Sequence, residues 1–272
     1  YFVWTPNDDG WDKITGTTPP PRYNFVSAYD PSREVVVIYG GFNAANDMDV
    51  STWEFNGLTQ TFTEAVADNE ADYLNRPPIQ NTSMTYDEAN DRVVLYGGDR
   101  RNGGSFLQAV ETWTCNFDTN TWPNMNDGSP GDRDSTNLGF DRDRNRVIMF
   151  GTLSKNDTWE WDGTSWTELT INGDPPGGRS RAALYWSDTY DGLVLGPGAI
   201  SGTVRNDQWV FDGDTLTWTQ LFGAAENEPA QRDLSQGYLD PDNDVWNYVF
   251  QVEAGFNSFN NIIQILSYRL SY

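Results

Sequence analysis

The chain has 272 residues, of which 40 are acidic and 17 basic, for a formal net charge of −23. That balance opposes binding to nucleic acid or insertion into anionic membranes, because a surface without a basic patch is repelled by phosphates. Histidine is absent, which removes Ser-His-Asp and Cys-His catalysis, His-ligated zinc and copper, and the commonest general base near neutral pH.

In chain order, Tyr1-Phe2-Val3-Trp4-Thr5 and Gly10-Trp11-Asp12-Lys13-Ile14 read as two short strands. A four-strand unit follows. Strand a runs from Tyr23 to Tyr29, and strand b is the apolar run Val35-Val36-Val37-Ile38-Tyr39, ending at Gly40-Gly41. A solid apolar run of strand length is expected to be covered on both faces. Strand c, Ser51 to Phe55, alternates apolar and polar residues, and strand d, Gln60 to Thr63, follows a turn at Asn56-Gly57.

The same order recurs through Val93-Val94-Leu95-Tyr96 and Thr112-Trp113, through Val147-Ile148-Met149-Phe150 and Trp159-Glu160-Trp161, and through Leu193-Val194-Leu195 and Trp209-Val210-Phe211. A fifth copy has strand a near Leu234 to Leu239, strand b from Val245 to Val252 and strand c within Asn261 to Leu270. The a-to-b turns fall at Asp30, Asp87, Asp141, Ser187 and Asp240, about 46 to 57 residues apart, the period of a four-stranded propeller blade. Blades are expected at about 22–65, 79–124, 133–171, 179–222 and 232–272. The fifth copy lacks strand d, and residues 1–16 are expected to supply it, which closes the ring and removes an open sheet edge. Tyr1, Phe2, Val3 and Trp4 are then surplus, either extending the last blade or pairing with another copy.

Three marks give the chain its resemblance to the kelch-repeat family of β-propellers. They are the glycine pairs Gly40-Gly41 and Gly97-Gly98, the steps Asn156-Asp157-Thr158-Trp159 and Asn206-Asp207-Gln208-Trp209, and the strand d residues Trp122, Trp166 and Trp218. The likeness covers nearly the whole chain and fades in the fifth copy, which has Gln251-Val252 at the glycine-pair position. It implies an all-β, five-bladed propeller of four-stranded antiparallel blades. Galactose oxidase-like members need histidine copper ligands, so that activity does not carry over.

Arginines recur in phase with the repeat. Arg22, Arg133, Arg179 and Arg232 open strand a in four copies, and Ile79 takes the place in the other. In kelch propellers such arginines crowd the channel mouth, which makes them ligand-binding candidates, since guanidinium can grip a carboxylate with two hydrogen bonds. Structural pairing with Asp is the competing role. In an antiparallel blade the start of a, the end of b, the start of c and the end of d share one side, so the arginines sit with the b-to-c loops. Phe42, Tyr73, Phe106 and Leu107 are the candidate contact residues on those loops.

Lone Cys115 permits no internal disulfide and has no basic neighbour to activate it. Asp-rich runs such as Asp141-Arg142-Asp143 do not follow a calcium-loop pattern, so no metal and no cofactor are expected. Asn81-Thr82-Ser83 and Asn156-Asp157-Thr158 match N-glycosylation acceptor patterns. With the Tyr1 start and only two lysines, Lys13 and Lys155, they point to an extracellular protein. The functional expectation is a noncatalytic module binding proteins or glycans, copies of itself included. The alternative is a carbohydrate-active hydrolase or lyase using paired carboxylates near the channel mouth.

Overall fold

In the computed structural model the chain is all-β, and no helix occurs among the described residues, which are 2–4, 11–43, 45–67, 76–77, 80–102, 105–125, 130–133, 135–200, 203–205, 207–222, 235–240, 245–251 and 263–269. Strand β1 (Phe2–Trp4) pairs antiparallel with β2 (Trp11–Lys13), Trp4 opposite Trp11. The first sheet is the four-stranded meander β3 (Val26–Asp30), β4 (Val35–Tyr39), β5 (Thr52–Asn56) and β6 (Thr61–Val66). The second begins with β7 (Ser83–Asp87) and β8 (Arg92–Tyr96). It then throws out a hairpin, β9 (Asp99–Asn102) and β10 (Ser105–Gln108), and returns as β11 (Thr112–Cys115).

The third sheet is β12 (Asn137–Asp141), β13 (Arg146–Thr152), β14 (Lys155–Trp161) and β15 (Trp166–Glu168). In the fourth, β16 (Leu184–Ser187) and β17 (Gly192–Leu195) precede a hairpin, β18 (Gly198–Ile200) and β19 (Thr203–Arg205), and β20 (Gln208–Asp212) and β21 (Thr217–Phe222) complete it. Among the described residues the fifth has three strands, β22 (Ser235–Asp240), β23 (Val245–Gln251) and β24 (Ile263–Arg269).

Two sequence expectations change. Around Trp122 the second sheet has only isolated bridges, Asn116 to Thr121 and Trp113 to Asn124, in place of a fourth strand. Pro123 lies between them without an N–H and so removes one ladder bond, although its carbonyl still accepts from Thr114 N at 3.1 Å and, beyond it, Met125 N donates to Thr112 O at 2.8 Å. Trp11–Lys13 was expected to pair with the last sheet. Among the described ladders β2 pairs with β1 and β24 with β23. A partner a few residues away costs far less loop entropy than one at the other end of the chain.

The a-to-b turns are built alike because their chemistry is alike. Asp30 Oδ1 accepts from the backbone N of Ser32 at 2.9 Å and Arg33 at 3.1 Å; Asp87 Oδ1 accepts from Asn90 N at 3.2 Å and Asp141 Oδ1 from Arg144 N at 3.1 Å. Ser187 does the same more weakly, its Oγ 3.4 Å from Tyr190 N. In each of these four turns the residue before strand b is left-handed, with φ of 55° at Glu34, 50° at Asp91, 53° at Asn145 and 51° at Asp191.

In the first four sheets the second strand is buried on both faces, and the period of two decides which neighbour each side chain meets. Val93 and Leu95 of β8 pack with Val26, Val37 and Tyr39 of the first sheet, while Val94 and Tyr96 pack with Leu138, Val147 and Met149 of the third. Ile148 and Phe150 of β13 then meet Leu184, Leu193 and Leu195 of the fourth. Fully burying one such side chain contributes roughly 1.5–3 kcal/mol. The first strands of successive sheets lie side by side, β3 against β7, β7 against β12, β12 against β16 and β16 against β22.

The glycine pair of the second sheet is a packing requirement. Gly97 and Gly98 have φ of 65° and 92°, and a Cβ on Gly98 would stand 2.6 Å from the Gln80 carbonyl oxygen. A Cβ on Gly97 would overlap the Arg133 carbonyl, so this turn brings the second sheet onto the backbone that starts the third.

Candidate functional site: the loop-bearing end of the sheets

Three of the in-phase arginines are almost completely buried, with exposures of 4% for Arg22, 2% for Arg133 and 0% for Arg179. Each meets an aspartate at the start of strand c in its own sheet. Arg22 Nη2 lies 2.8 Å from Asp49 Oδ2, and its Nη1 donates to Gly40 O at 3.1 Å. Arg133 grips both oxygens of Asp157, Nη1 donating to Oδ1 at 2.8 Å and Nη2 to Oδ2. Arg179 Nη2 donates to Asp207 Oδ2 at 2.8 Å, and its Nη1 to Asp207 O at 2.8 Å.

A tryptophan indole shares each acceptor. Trp159 Nε1 donates to Asp157 Oδ2 at 2.9 Å and Trp209 Nε1 to Asp207 Oδ2 at 2.6 Å. In the first sheet Ser51 intervenes, accepting from Trp53 Nε1 at 2.9 Å and from Arg22 Nη2 at 3.0 Å. Burial alone would raise the Asp157 and Asp207 carboxyls. The hydrogen bonds from arginine and tryptophan, with the arginine charge, outweigh it and hold both below the ordinary carboxylate range.

The hydrogen bonds these guanidinium groups make to carboxylates and carbonyls thus stay within their own sheets, while Arg133 Nε is buried without a partner. A ligand carboxylate would have to displace a buried partner, so Arg22, Arg133 and Arg179 serve as struts between strands a and c rather than as a receptive surface. Arg232 lies outside the described residues. The aspartate partners went unpaired in the sequence, although their signal was present: Asp157 and Asp207 stand two residues before the strand c tryptophans.

The second sheet departs from this plan. Without an arginine at the start of strand a, the acid two residues before its tryptophan, Glu111, is taken by Arg100 of β9, with 3.3 Å from Nη1 to Oε1 and 3.3 Å from Nη2 to Oε2. Trp113 Nε1 is left without a hydrogen-bond partner. The cation has moved from the start of the first strand to the hairpin.

The predicted contact residues separate in the same way. Phe42 is buried at 5%, packed with Val50, Tyr23 and Met48, so it acts within its loop and not as a surface contact. Phe106 and Leu107 on β10 are 47% and 52% exposed, and the Phe106 ring stands 6.2 Å edge-on from Phe42. Leu153, in the β13–β14 turn at the same end of its sheet, is 37% exposed. Tyr73 and Tyr1 lie outside the described residues, as do the side chains of Phe2, Val3 and Trp4. Asn81 Nδ2 donates to Asp99 Oδ2 at 2.7 Å, whereas Asn156 is exposed.

Cys115 is fully buried, and burial pushes its thiol well above the ordinary range, against a nucleophilic role. Among the described residues no group of three or more His, Cys, Asp or Glu is arranged to hold a metal ion. No described helix is long and apolar enough to cross a membrane. No protein-family profile matches the chain, and no curated protein matches it.

Proposed function

We propose that this chain is a five-bladed kelch-type propeller, closed at its termini, that works outside the cell as a noncatalytic module binding proteins or glycans. The repeated antiparallel sheets, their side-by-side first strands and the apolar clusters between successive sheets support the ring.

The observation that carries the binding role is the β9–β10 hairpin. It projects from the loop-bearing end with all four residues of β10 exposed, two of them large and apolar. Apolar side chains held out on a rigid scaffold mark recognition surfaces. Catalysis is disfavoured because the strand c acids Asp49, Asp157, Asp207 and Glu111 are each engaged by an arginine.

The test is a screen of glycan and peptide arrays, with sizing by light scattering for self-association, on wild type and Leu107→Asp. Binding or association that weakens at least tenfold in the variant supports the surface. Ligand capture unchanged by Leu107→Asp, or turnover of a glycan, sinks it.

A further inference from the structure

The two N-glycosylation acceptor triplets have opposite structural settings. Asn156 is exposed at the start of β14, beside the turn that joins it to β13, and its side chain has no hydrogen bond among the described residues. Alternation along the strand explains this: Asp157 faces inward to Arg133, so the residue before it faces out. The ladder is irregular here, with pairing interrupted between Phe150 and Thr152.

Asn81 is half-buried and left-handed, with φ of 52°. Its Nδ2 donates to Asp99 Oδ2 at 2.7 Å, and its carbonyl accepts from Ser135 N at 2.5 Å, across the contact between the second and third sheets. A branched sugar on that nitrogen would crowd the Asp99 carboxylate it donates to, so a chain modified there could not pack this loop as found.

We propose that Asn156 is an attachment site for an N-linked oligosaccharide and that Asn81 is not. In the transfer, Asn156 Nδ2 attacks the anomeric carbon of a lipid-pyrophosphate-linked oligosaccharide. The C–N bond forms as the C–O bond to pyrophosphate breaks; the lipid pyrophosphate leaves, and Nδ2 gives up one proton to a base of the transferase. Thr158 of the triplet is fully buried, its Oγ1 accepting from Trp218 Nε1 at 3.1 Å, so transfer precedes closure of the third sheet on the fourth. A glycan there would cover the head of the third sheet and leave Phe106 and Leu107 as the open sector.

The proposal rests on the extracellular reading for its setting but not for its test. The full chain is secreted from a eukaryotic cell behind a heterologous leader, and its glycopeptides are mapped by mass spectrometry before and after enzymatic deglycosylation. Sugar on the Asn156 peptide, none on the Asn81 peptide, and loss of the mass shift in Asn156→Gln but not Asn81→Gln are expected. A secreted, folded chain with Asn156 bare, or with Asn81 modified, overturns it. Export is imposed here, so that result leaves native location to be judged separately, by fractionating the source cells.

Discussion

Trp166 Nε1 donates a 2.8 Å hydrogen bond to Thr112 Oγ1, joining the last strand of the third sheet to the third strand of the second across 54 residues of sequence. Trp122 bonds Thr52 at 3.0 Å and Trp218 bonds Thr158 at 3.1 Å in the same way, and the three rings rest on Tyr96, Tyr39 and Phe150 of the preceding sheet. The acceptor is each time the residue just before the strand c tryptophan. Replacing Thr112 with Val keeps the shape and strands a buried N–H, which costs about 1–3 kcal/mol. Urea unfolding should show that loss, and Thr112→Val combined with Trp166→Phe should cost less than the two singles together. Strict additivity would mean that the bond contributes nothing.

The strut between Arg179 and Asp207 sets an acid limit. Because the Asp207 carboxyl is held low when folded, its contribution is present above the unfolded carboxylate pKa, about 3.9, and disappears as pH falls through the folded value. Asp157 acts in the same direction. Wild type should therefore lose stability progressively below about pH 4, and Asp207→Asn should flatten that part of the profile. At pH 7, Arg179→Ala leaves a buried carboxylate unpaired and should cost roughly 3–5 kcal/mol. A variant as stable as wild type at pH 7 would refute the strut.

Asp141 has the opposite sign. Burial raises its carboxyl, against the opposing pull of the Arg144 backbone bond and charge. The stability it contributes is fully present below the unfolded pKa and is lost as pH rises through the folded one. Asp141→Asn, which keeps the acceptor for Arg144 N, should be neutral or stabilising at pH 7 by thermal unfolding. Strong destabilisation there would show that the charge itself is required.

Cys115 should be silent to a thiol reagent at pH 8 in the native protein and react fully once unfolded, because its thiol is buried and its pKa raised. Rapid native labelling would contradict the packing of β11 against the first sheet.

The two ends of the sheets should respond differently to the same change. Leu58, 82% exposed in the turn between β5 and β6, and Leu107, 52% exposed on β10, are both accessible, so Leu58→Asp and Leu107→Asp should each shift stability by less than about 0.5 kcal/mol. Only Leu107→Asp should weaken ligand capture. Equal losses from both would argue for general stickiness.

Strand order, turn positions and the doubly covered second strands were legible in the sequence, because they rest on local chemistry. Asp30 caps its own turn, and the alternation of Val93 to Tyr96 is set by backbone geometry alone. The missing fourth strand in the second sheet was legible in principle, since Pro123 stands where a donor is needed. The candidate site was read less completely. The arginines were found by their phase, but not their aspartates, and Phe42 and Phe106 looked equivalent although one is buried and the other exposed.

Periodicity and turn residues thus determined the elements of this protein, since those signals act within a few residues. Only the tertiary structure decided that Arg179 meets Asp207 28 residues on, that Trp166 reaches Thr112, and that Asn156 faces solvent while Asn81 is tied to Asp99. Partners so far apart in sequence are chosen by which sheet lies against which, and spacing along a chain carries no record of that.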